Sequence, residues 1–287
     1  MELITHGKNV HELIYEDKVV HIAMLSDIHW DNPKCDLGLL KHHLEYCKTH
    51  NIKVVINGDF FCLMQGRGDN RRNKSDIRAE HNNAMYLDSI VNTAVEWFTP
   101  YAETLLLIGY GNHETGIIKY QETDILRRFV DLLNFQNKTN VQVGGYGGWI
   151  IVRQLIHTCA VSTKIKYYHG SGGGGIVTKG ALNLTRALET YEDYDVFAMG
   201  HIHENSCRND VRDTLRYNAK EGYKIKQKQI HSMLTGTYKE EYGEGHHGWH
   251  VERGAPPKPL GGRILQIEAR KINDKMVKSI DSFKFPL

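Results

Sequence analysis

The sequence predicts an α/β sandwich, because short apolar runs typical of buried strands alternate with longer segments whose apolar residues have helical spacing. The first run covers residues 19–26, and residues 36–50 follow it with leucines spaced for one buried face. The alternation repeats along a chain of 287 residues with 40% hydrophobic content, which is enough to build a substantial core. We therefore expect one domain over residues 1–287.

The remaining elements are predicted in chain order from the period of their apolar residues. Further strands are expected at residues 53–56, 104–108 and 196–199, in a β-rich stretch that begins at 141–152, and in a strand that ends at Tyr168. Helices are expected at residues 36–50, 77–98, 120–133 and 178–190. Residues 225–234 and 263–272 alternate like antiparallel strands.

Composition excludes several classes of protein. The formal net charge is +2, which does not indicate a nucleic-acid binder at the level of the whole chain. The longest apolar runs, such as residues 104–108, are too short to cross a bilayer, and residues 1–18 lack the continuous apolar stretch of a secretory signal. Five cysteines without a C-x-x-C pair predict reduced thiols. We expect a cytoplasmic protein that does not bind membranes.

Polar residues with metal-ligand chemistry follow the ends of five predicted strands, and groups at the carboxyl ends of strands converge on one crevice. In the D-x-H and H-x-H pairs, one intervening residue on extended backbone returns both side chains to the same face. Carboxylate, amide and imidazole groups without thiolates suit manganese, iron or zinc better than calcium or magnesium. The residues are Asp27, His29, Asp59, Asn112, His113, His169, His201 and His203.

In their order along the chain, these blocks resemble the signature of the calcineurin-like metallophosphoesterases: D-I-H at 27–29, G-D at 58–59, G-N-H-E at 111–114, His169 and G-H-I-H at 200–203. The resemblance covers residues 19–205 and implies a four-layer α/β/β/α sandwich with mixed sheets. It implies two divalent transition metal ions, with manganese preferred and iron or zinc as alternatives. One ion would be held by Asp27, His29, Asp59 and His203, and the second by Asn112, His169, His201 and the bridging Asp59.

The resemblance also implies the reaction, which is attack of a metal-bound hydroxide on phosphorus with Asp59 and His113 as catalytic residues. His113 would protonate the leaving oxygen or stabilise the charge of the transition state. The sequence departs from the family's pattern at two places. The G-D block lacks the Asp-Arg-Gly segment that follows it in protein Ser/Thr phosphatases, and Cys62 stands where many members of the family carry an acid.

The substrate is predicted from less specific features. Arg67, Arg71 and Arg72 are candidates for contacts with substrate phosphates, although a solvated loop is the alternative for this mixed-charge run. A less typical segment at about 205–260 is expected to face the substrate. The first hypothesis is therefore hydrolysis of a phosphodiester, in nucleic acid or a nucleotide. A phosphomonoesterase is the alternative enzyme, and a catalytically silent binding scaffold is the alternative of another class; the sequence names no protein partner.

Overall fold

The computed structural model describes residues 1–63, 76–220, 222–245, 249–252, 254–272 and 275–286. Within these ranges the chain forms thirteen strands and six α-helices. The strands are β1 (Glu2–Gly7), β2 (Val10–Tyr15), β3 (Val19–Leu25), β4 (Lys53–Asn57), β5 (Leu105–Gly109), β6 (Gln142–Val143), β7 (Gly147–Ile156), β8 (Cys159–Tyr168), β9 (Val196–Met199), β10 (Asn205–Asn218), β11 (Gly222–Thr235), β12 (Arg263–Ile272) and β13 (Lys275–Lys284). The helices are α1 (Leu37–Thr49), α2 (Tyr86–Phe98), α3 (Asn112–Gln121), α4 (Ile125–Asn137), α5 (Ala181–Thr190) and α6 (Trp249–Glu252).

Two mixed sheets form the centre of the molecule. One has seven strands in the order β1-β2-β7-β8-β9-β11-β10, and the other has six in the order β13-β12-β3-β4-β5-β6. Strands β3, β4 and β5 are mutually parallel, as are β8, β9 and β11. Parallel neighbours end at the same edge of their sheet, so the loops that follow these strands are brought together.

Three apolar clusters separate four layers. Leu44 of α1 and Phe129 of α4 pack with Ile56 of β4 on the outer face of the six-stranded sheet. A second cluster lies between the sheets. In the third, Leu188 of α5 packs with Phe197 of β9 on the outer face of the seven-stranded sheet. The predicted four-layer α/β/β/α sandwich is therefore confirmed.

Two of the predicted helices were wrong in their extent. The helix predicted at 77–98 begins only at Tyr86, after a single 3-10 turn at Ala79–His81. The helix predicted at 120–133 is two helices, because Glu122 takes a left-handed conformation with φ of 53° and ends α3. The carboxylate of Asp124 then caps α4 by accepting a hydrogen bond from the main-chain N–H of Arg127.

The first eighteen residues, which carried no predicted element, form the edge hairpin β1–β2. The described helices include none that is both long enough and apolar enough to cross a bilayer. All five cysteines are free thiols.

Candidate metal centre

The predicted ligands gather at one edge of the sandwich, where the loops after β3, β4, β5, β8 and β9 meet. Main-chain hydrogen bonds join the first two loops, since the N–H of Asp27 donates to the carbonyl of Gly58 at 3.1 Å and that of His29 donates to Asp59 at 3.1 Å. The side chain of Asn57 bridges the two sheets by donating to the carbonyl of Tyr168 at 2.9 Å. The site is thus held by both sheets.

The backbone at five of these residues is left-handed, with φ angles of 51° at Asp27, 49° at His29, 48° at Asp59, 66° at His201 and 60° at His203. The expectation that D-x-H and H-x-H lie on extended backbone was therefore wrong. Asp27 and His29 still belong to one ligand group, whereas His201 and His203 belong to two adjoining groups. Non-glycine residues in this region cost about 1–3 kcal/mol each and are concentrated at functional sites.

The first ligand group consists of Asp27, His29 and His203. Nε2 of His203 lies 3.2 Å from Oδ1 of Asp27 and 3.4 Å from Nε2 of His29. Asp27 and His29 are almost completely buried, and Oδ1 of Asp27 has no hydrogen-bond partner in the described part of the chain. The other carboxylate oxygen accepts a 2.8 Å hydrogen bond from the main-chain N–H of His201, which fixes the side chain.

The second group consists of Asp59, His169 and His201, and Asn112 lies beside it. Nε2 of His169 is 3.2 Å from Oδ2 of Asp59 and 3.2 Å from the side-chain oxygen of Asn112. The opposite ring nitrogen, Nδ1, bonds to the carbonyl of Asn57 at 2.9 Å. A carbonyl only accepts, so Nδ1 carries the hydrogen and the lone pair of Nε2 points at the two oxygens.

This arrangement fits a cation. Nε2 of His169 faces the oxygens of Asp59 and Asn112 at 3.2 Å each, and a proton or a metal ion between these electron pairs would remove their repulsion. Burial opposes the charged imidazole, but the carboxylates of Asp59 and Asp27 raise the pKa of His169 to about 10. Burial likewise opposes the carboxylate of Asp59, yet His169 and His113 hold the pKa of Asp59 well below its usual range.

Electrostatics differs at His29 of the first group and at His201 of the second, where a proton is disfavoured. Burial, together with the neighbouring His113, lowers the pKa of His29 well below its usual value. Burial and the neighbouring His169 also lower the pKa of His201. Neutral imidazoles are the form that binds transition metals. The two groups together could therefore hold divalent metal ions, and the soft imidazoles beside hard oxygens suit manganese, iron or zinc.

His113, the predicted non-ligand catalyst, lies beside both groups. Its Nδ1 donates to the carbonyl oxygen of Cys62, and its Nε2 lies 3.9 Å from Oδ2 of Asp59. The ring packs edge-to-face on His29 with centroids 4.9 Å apart. The bond to Cys62 fixes the tautomer and leaves Nε2 directed toward the ligands. His29, Cys62 and His113 also form a third possible ligand group, which adds a thiol to the site.

Two buried carboxylates support the site: Glu114, the last residue of the G-N-H-E block, and Asp31, which was not predicted. Glu114 accepts hydrogen bonds from the main-chain N–H groups of Asp59 at 3.2 Å, Phe61 at 2.8 Å and Gly111 at 2.7 Å. Burial, helped by Asp59, raises the pKa of Glu114 to about 8. Asp31 accepts from the N–H of Leu63 at 3.0 Å and from that of Cys62, and so supports the carbonyl that positions His113. Glu114 is almost completely buried, so it is not a surface group.

The predicted substrate contacts Arg67, Arg71 and Arg72 lie outside the described residues, and their role stays a prediction. The segment at about 205–260 divides into two parts. The hairpin β10–β11 leads away from the ligands, whereas Thr237 and Tyr238 bond to the carbonyl of Asp27 at 2.8 Å and 3.0 Å. Contact of this segment with substrate stays a prediction.

Comparison with protein-family models and with curated proteins finds no match for this sequence. Solved structures with a similar chain path include GAP50, the anchor in the inner membrane complex of Plasmodium, with 10% identity and a TM-score of 0.45, covering 93% of this chain and 89% of that chain. Vps29 from Cryptosporidium parvum has 14% identity and a TM-score of 0.33, covering 94% of this chain and 100% of that chain. Vps29 from Entamoeba histolytica complexed with Zn²⁺ has 10% identity and a TM-score of 0.34, covering 92% and 99%. Similarities at this level do not establish a family, so the interpretation of the site depends on its own geometry.

Proposed function

We propose that this chain is a metal-dependent phosphoesterase that hydrolyses phosphodiesters, in nucleic acid or in nucleotides. The observation that carries the proposal is the placement of two ligand groups side by side, Asp27–His29–His203 and Asp59–His169–His201. The groups are joined, because the main-chain N–H of His201 in the second group donates to Oδ2 of Asp27 in the first at 2.8 Å. Two cations held in these adjoining groups would neutralise phosphate oxygens and lower the pKa of a bound water.

The chain's own residues supply the rest of the chemistry. Asp27 and Asp59 bring negative charge into a buried site, which favours divalent cations over a neutral occupant. His113 has a hydrogen on Nδ1, so its protonated form directs the Nε2–H toward the ligand groups and can donate that proton to a leaving oxygen. The main-chain N–H of His113 donates to Oδ1 of Asp59 at 3.0 Å. The position of the proposed proton donor, His113, is therefore linked to that of the ligand Asp59.

The preference for phosphodiesters rests on the sequence. The basic residues of the loop after Asp59 provide positive charge for an extended, polyanionic substrate. A phosphomonoesterase would use the same ligand groups, so the two activities must be separated by measurement.

The decisive experiment measures metal content and turnover on one preparation. The purified protein is loaded with manganese, its metal is quantified by mass spectrometry, and its turnover is measured on bis-p-nitrophenyl phosphate and p-nitrophenyl phosphate. We expect at least one transition metal ion per chain and faster turnover of the diester. Faster turnover of the monoester would establish the phosphomonoesterase instead. The protein could instead bind metal and hydrolyse neither of these substrates, nor single-stranded DNA, RNA or cyclic nucleotides. That result would overturn the proposed enzymatic function and favour a binding scaffold.

A further inference from the structure

Strands β10 and β11 form a hairpin that extends well beyond its sheet. Fourteen residue pairs stay in register, from Asn205 opposite Thr235 to Asn218 opposite Gly222. Only His231–Leu234 of β11 pair with β9. Because β11 runs parallel to β9, the carboxyl end of β11 lies at the edge of the sandwich where the predicted metal ligands gather, which we call the metal edge. The hairpin turn lies at the opposite end of β11, about 40 Å away at about 3.3 Å per residue. We refer to residues 210–218 and 222–230 as the distal arm.

The distal arm has two unlike faces, because residues directly opposite each other share a face. One face, the apolar face, carries the pairs Leu215–Ile225 and Tyr217–Tyr223 and also Val211. These side chains are exposed by 67% at Leu215, 73% at Ile225, 67% at Tyr217, 72% at Tyr223 and 56% at Val211. The charged and amide side chains on the same face are Asp213, Gln227 and Gln229.

The other face is basic, and the part of it nearest the sheet rests on the body of the protein. It carries Arg212, Arg216, Lys224, Lys226 and Lys228. The guanidinium of Arg212 donates to the carbonyl of Leu188 at 3.1 Å and lies over the ring of Tyr194, and Lys228 pairs with Asp195 at 3.4 Å. These contacts fix the direction of the arm and turn the apolar face away from helix α5.

The exposed area is large for a monomer. The four side chains of the adjoining pairs Leu215–Ile225 and Tyr217–Tyr223 leave on the order of 500 Å² in water, given about 150–250 Å² for a large aromatic side chain. The largest apolar patch on a typical monomer covers about 300–600 Å² and is often functional. If the same patch met itself across a two-fold axis, about 1,000 Å² would be buried in total, which is the lower limit for a biological interface.

The arrangement of charges favours a second copy over other occupants. A single-stranded nucleic acid needs aromatic and basic groups on one surface, whereas here they lie on opposite faces. A bilayer would have to accept Asp213, Gln227 and Gln229 together with the apolar residues. In a self-association centred on Leu215 and Tyr217, these polar groups lie at the rim, as in other protein interfaces. We propose that the apolar face of the distal arm is the interface through which two copies of this chain associate, with both basic faces outward.

The test is the molar mass of the full-length protein in solution, measured by light scattering after size exclusion over a roughly hundredfold range of concentration. We expect twice the chain mass of 32.9 kDa for the wild type. The double variant Leu215→Gln, Ile225→Gln should raise the dissociation constant by at least about tenfold and shift the mass toward one chain. Both residues are exposed in the single chain, so the variant should fold, and circular dichroism checks this.

The matched control is Arg216→Gln with Lys226→Gln, on the opposite face of the same part of the arm. It should keep the mass of the wild type. A wild type that stays monomeric at all concentrations overturns the proposal, as does a dimer that survives the Leu215 and Ile225 substitutions. Binding of a monomeric wild type to anionic vesicles or to single-stranded DNA through the arm would also overturn it. The molar mass is measured without substrate, so the result is independent of the proposed enzymatic function.

Discussion

Oδ2 of Asp59 and Nε2 of His169 lie 3.2 Å apart, both buried, although each is an electron-pair donor when the imidazole is neutral. The tautomer of His169 is fixed by the carbonyl of Asn57, so the ring cannot turn its own N–H toward the carboxylate. The repulsion is removed by a second proton on the ring or by a cation. This relationship makes Asp59 the residue whose charge matters most to the site.

Replacement of Asp59 by Asn should therefore reduce both metal binding and turnover. The amide preserves the shape of the side chain but removes the negative charge that compensates a cation. We expect the metal content of the Asp59→Asn variant to fall by at least one ion per chain and turnover of the diester by at least about 100-fold. Asp88→Asn, which changes a half-exposed aspartate on α2, should leave both values unchanged. Full turnover by Asp59→Asn would contradict the ligand assignment.

Close backbone approach at Gly111 provides a second prediction. A Cβ atom added there would lie 2.0 Å from Oδ1 of Asp59 and 2.3 Å from its main-chain nitrogen. Gly111→Ala should displace Asp59, lower the free energy of unfolding by about 1–3 kcal/mol and reduce metal content. Gly173→Ala is the control, because a Cβ there meets nothing within 4 Å. Urea titration and metal analysis measure both effects, and equal results for the two variants would show that Gly111 does not position Asp59.

The ligands could be predicted from the sequence because each is a short, polar block directly after a buried strand. The left-handed backbone at Asp27 and His29 could not be predicted, since it accompanies hydrogen bonds to the distant loop at Gly58 and Asp59. The role of Glu114 depends on the loop of Asp59 being folded against α3, which no local pattern reveals. Strand β10 was missed for a similar reason: almost all of its side chains are partly or fully exposed, and it is a strand because β11 pairs with it.

Acid should weaken the ion-pair cluster around Glu241. Its carboxylate lies 2.9 Å from Nζ of Lys34 and 2.8 Å from Nζ of Lys239. Burial opposes the charge, but the two lysines lower the pKa of Glu241 from 4.5 to about 2. A carboxyl group whose pKa is lower in the folded than in the unfolded state stabilises the folded state. For Glu241 this contribution is complete at pH values above the unfolded pKa of 4.5, and it is lost as the pH falls from 4.5 toward 2.

The Glu241→Gln variant should thus be less stable than the wild type by about 1–2 kcal/mol near neutral pH, a value discounted for partial solvent screening. The difference should shrink as the pH falls from about 5 to about 3. Thermal unfolding in the presence of a chelator measures this difference in stability without interference from bound metal. Glu244→Gln, at an exposed position, serves as the control. A difference that stays constant down to the lowest pH would exclude a charged Glu241 as its source.

His113 should affect chemistry without affecting metal content. Its Nδ1 is held by the carbonyl of Cys62, and its Nε2 lies 3.9 Å from Asp59, so its substitution removes a proton donor and leaves the two ligand groups in place. We expect His113→Asn to lower turnover of the diester by about 10²- to 10⁴-fold. The loss should be larger for phenyl than for p-nitrophenyl esters, because the poorer leaving group depends more on protonation. His157→Asn, in the turn between β7 and β8, changes the same residue type at the far edge of the sheet and should have no effect. If His113→Asn slows both esters equally, the histidine stabilises charge in the transition state instead; if it also loses metal, it is a ligand.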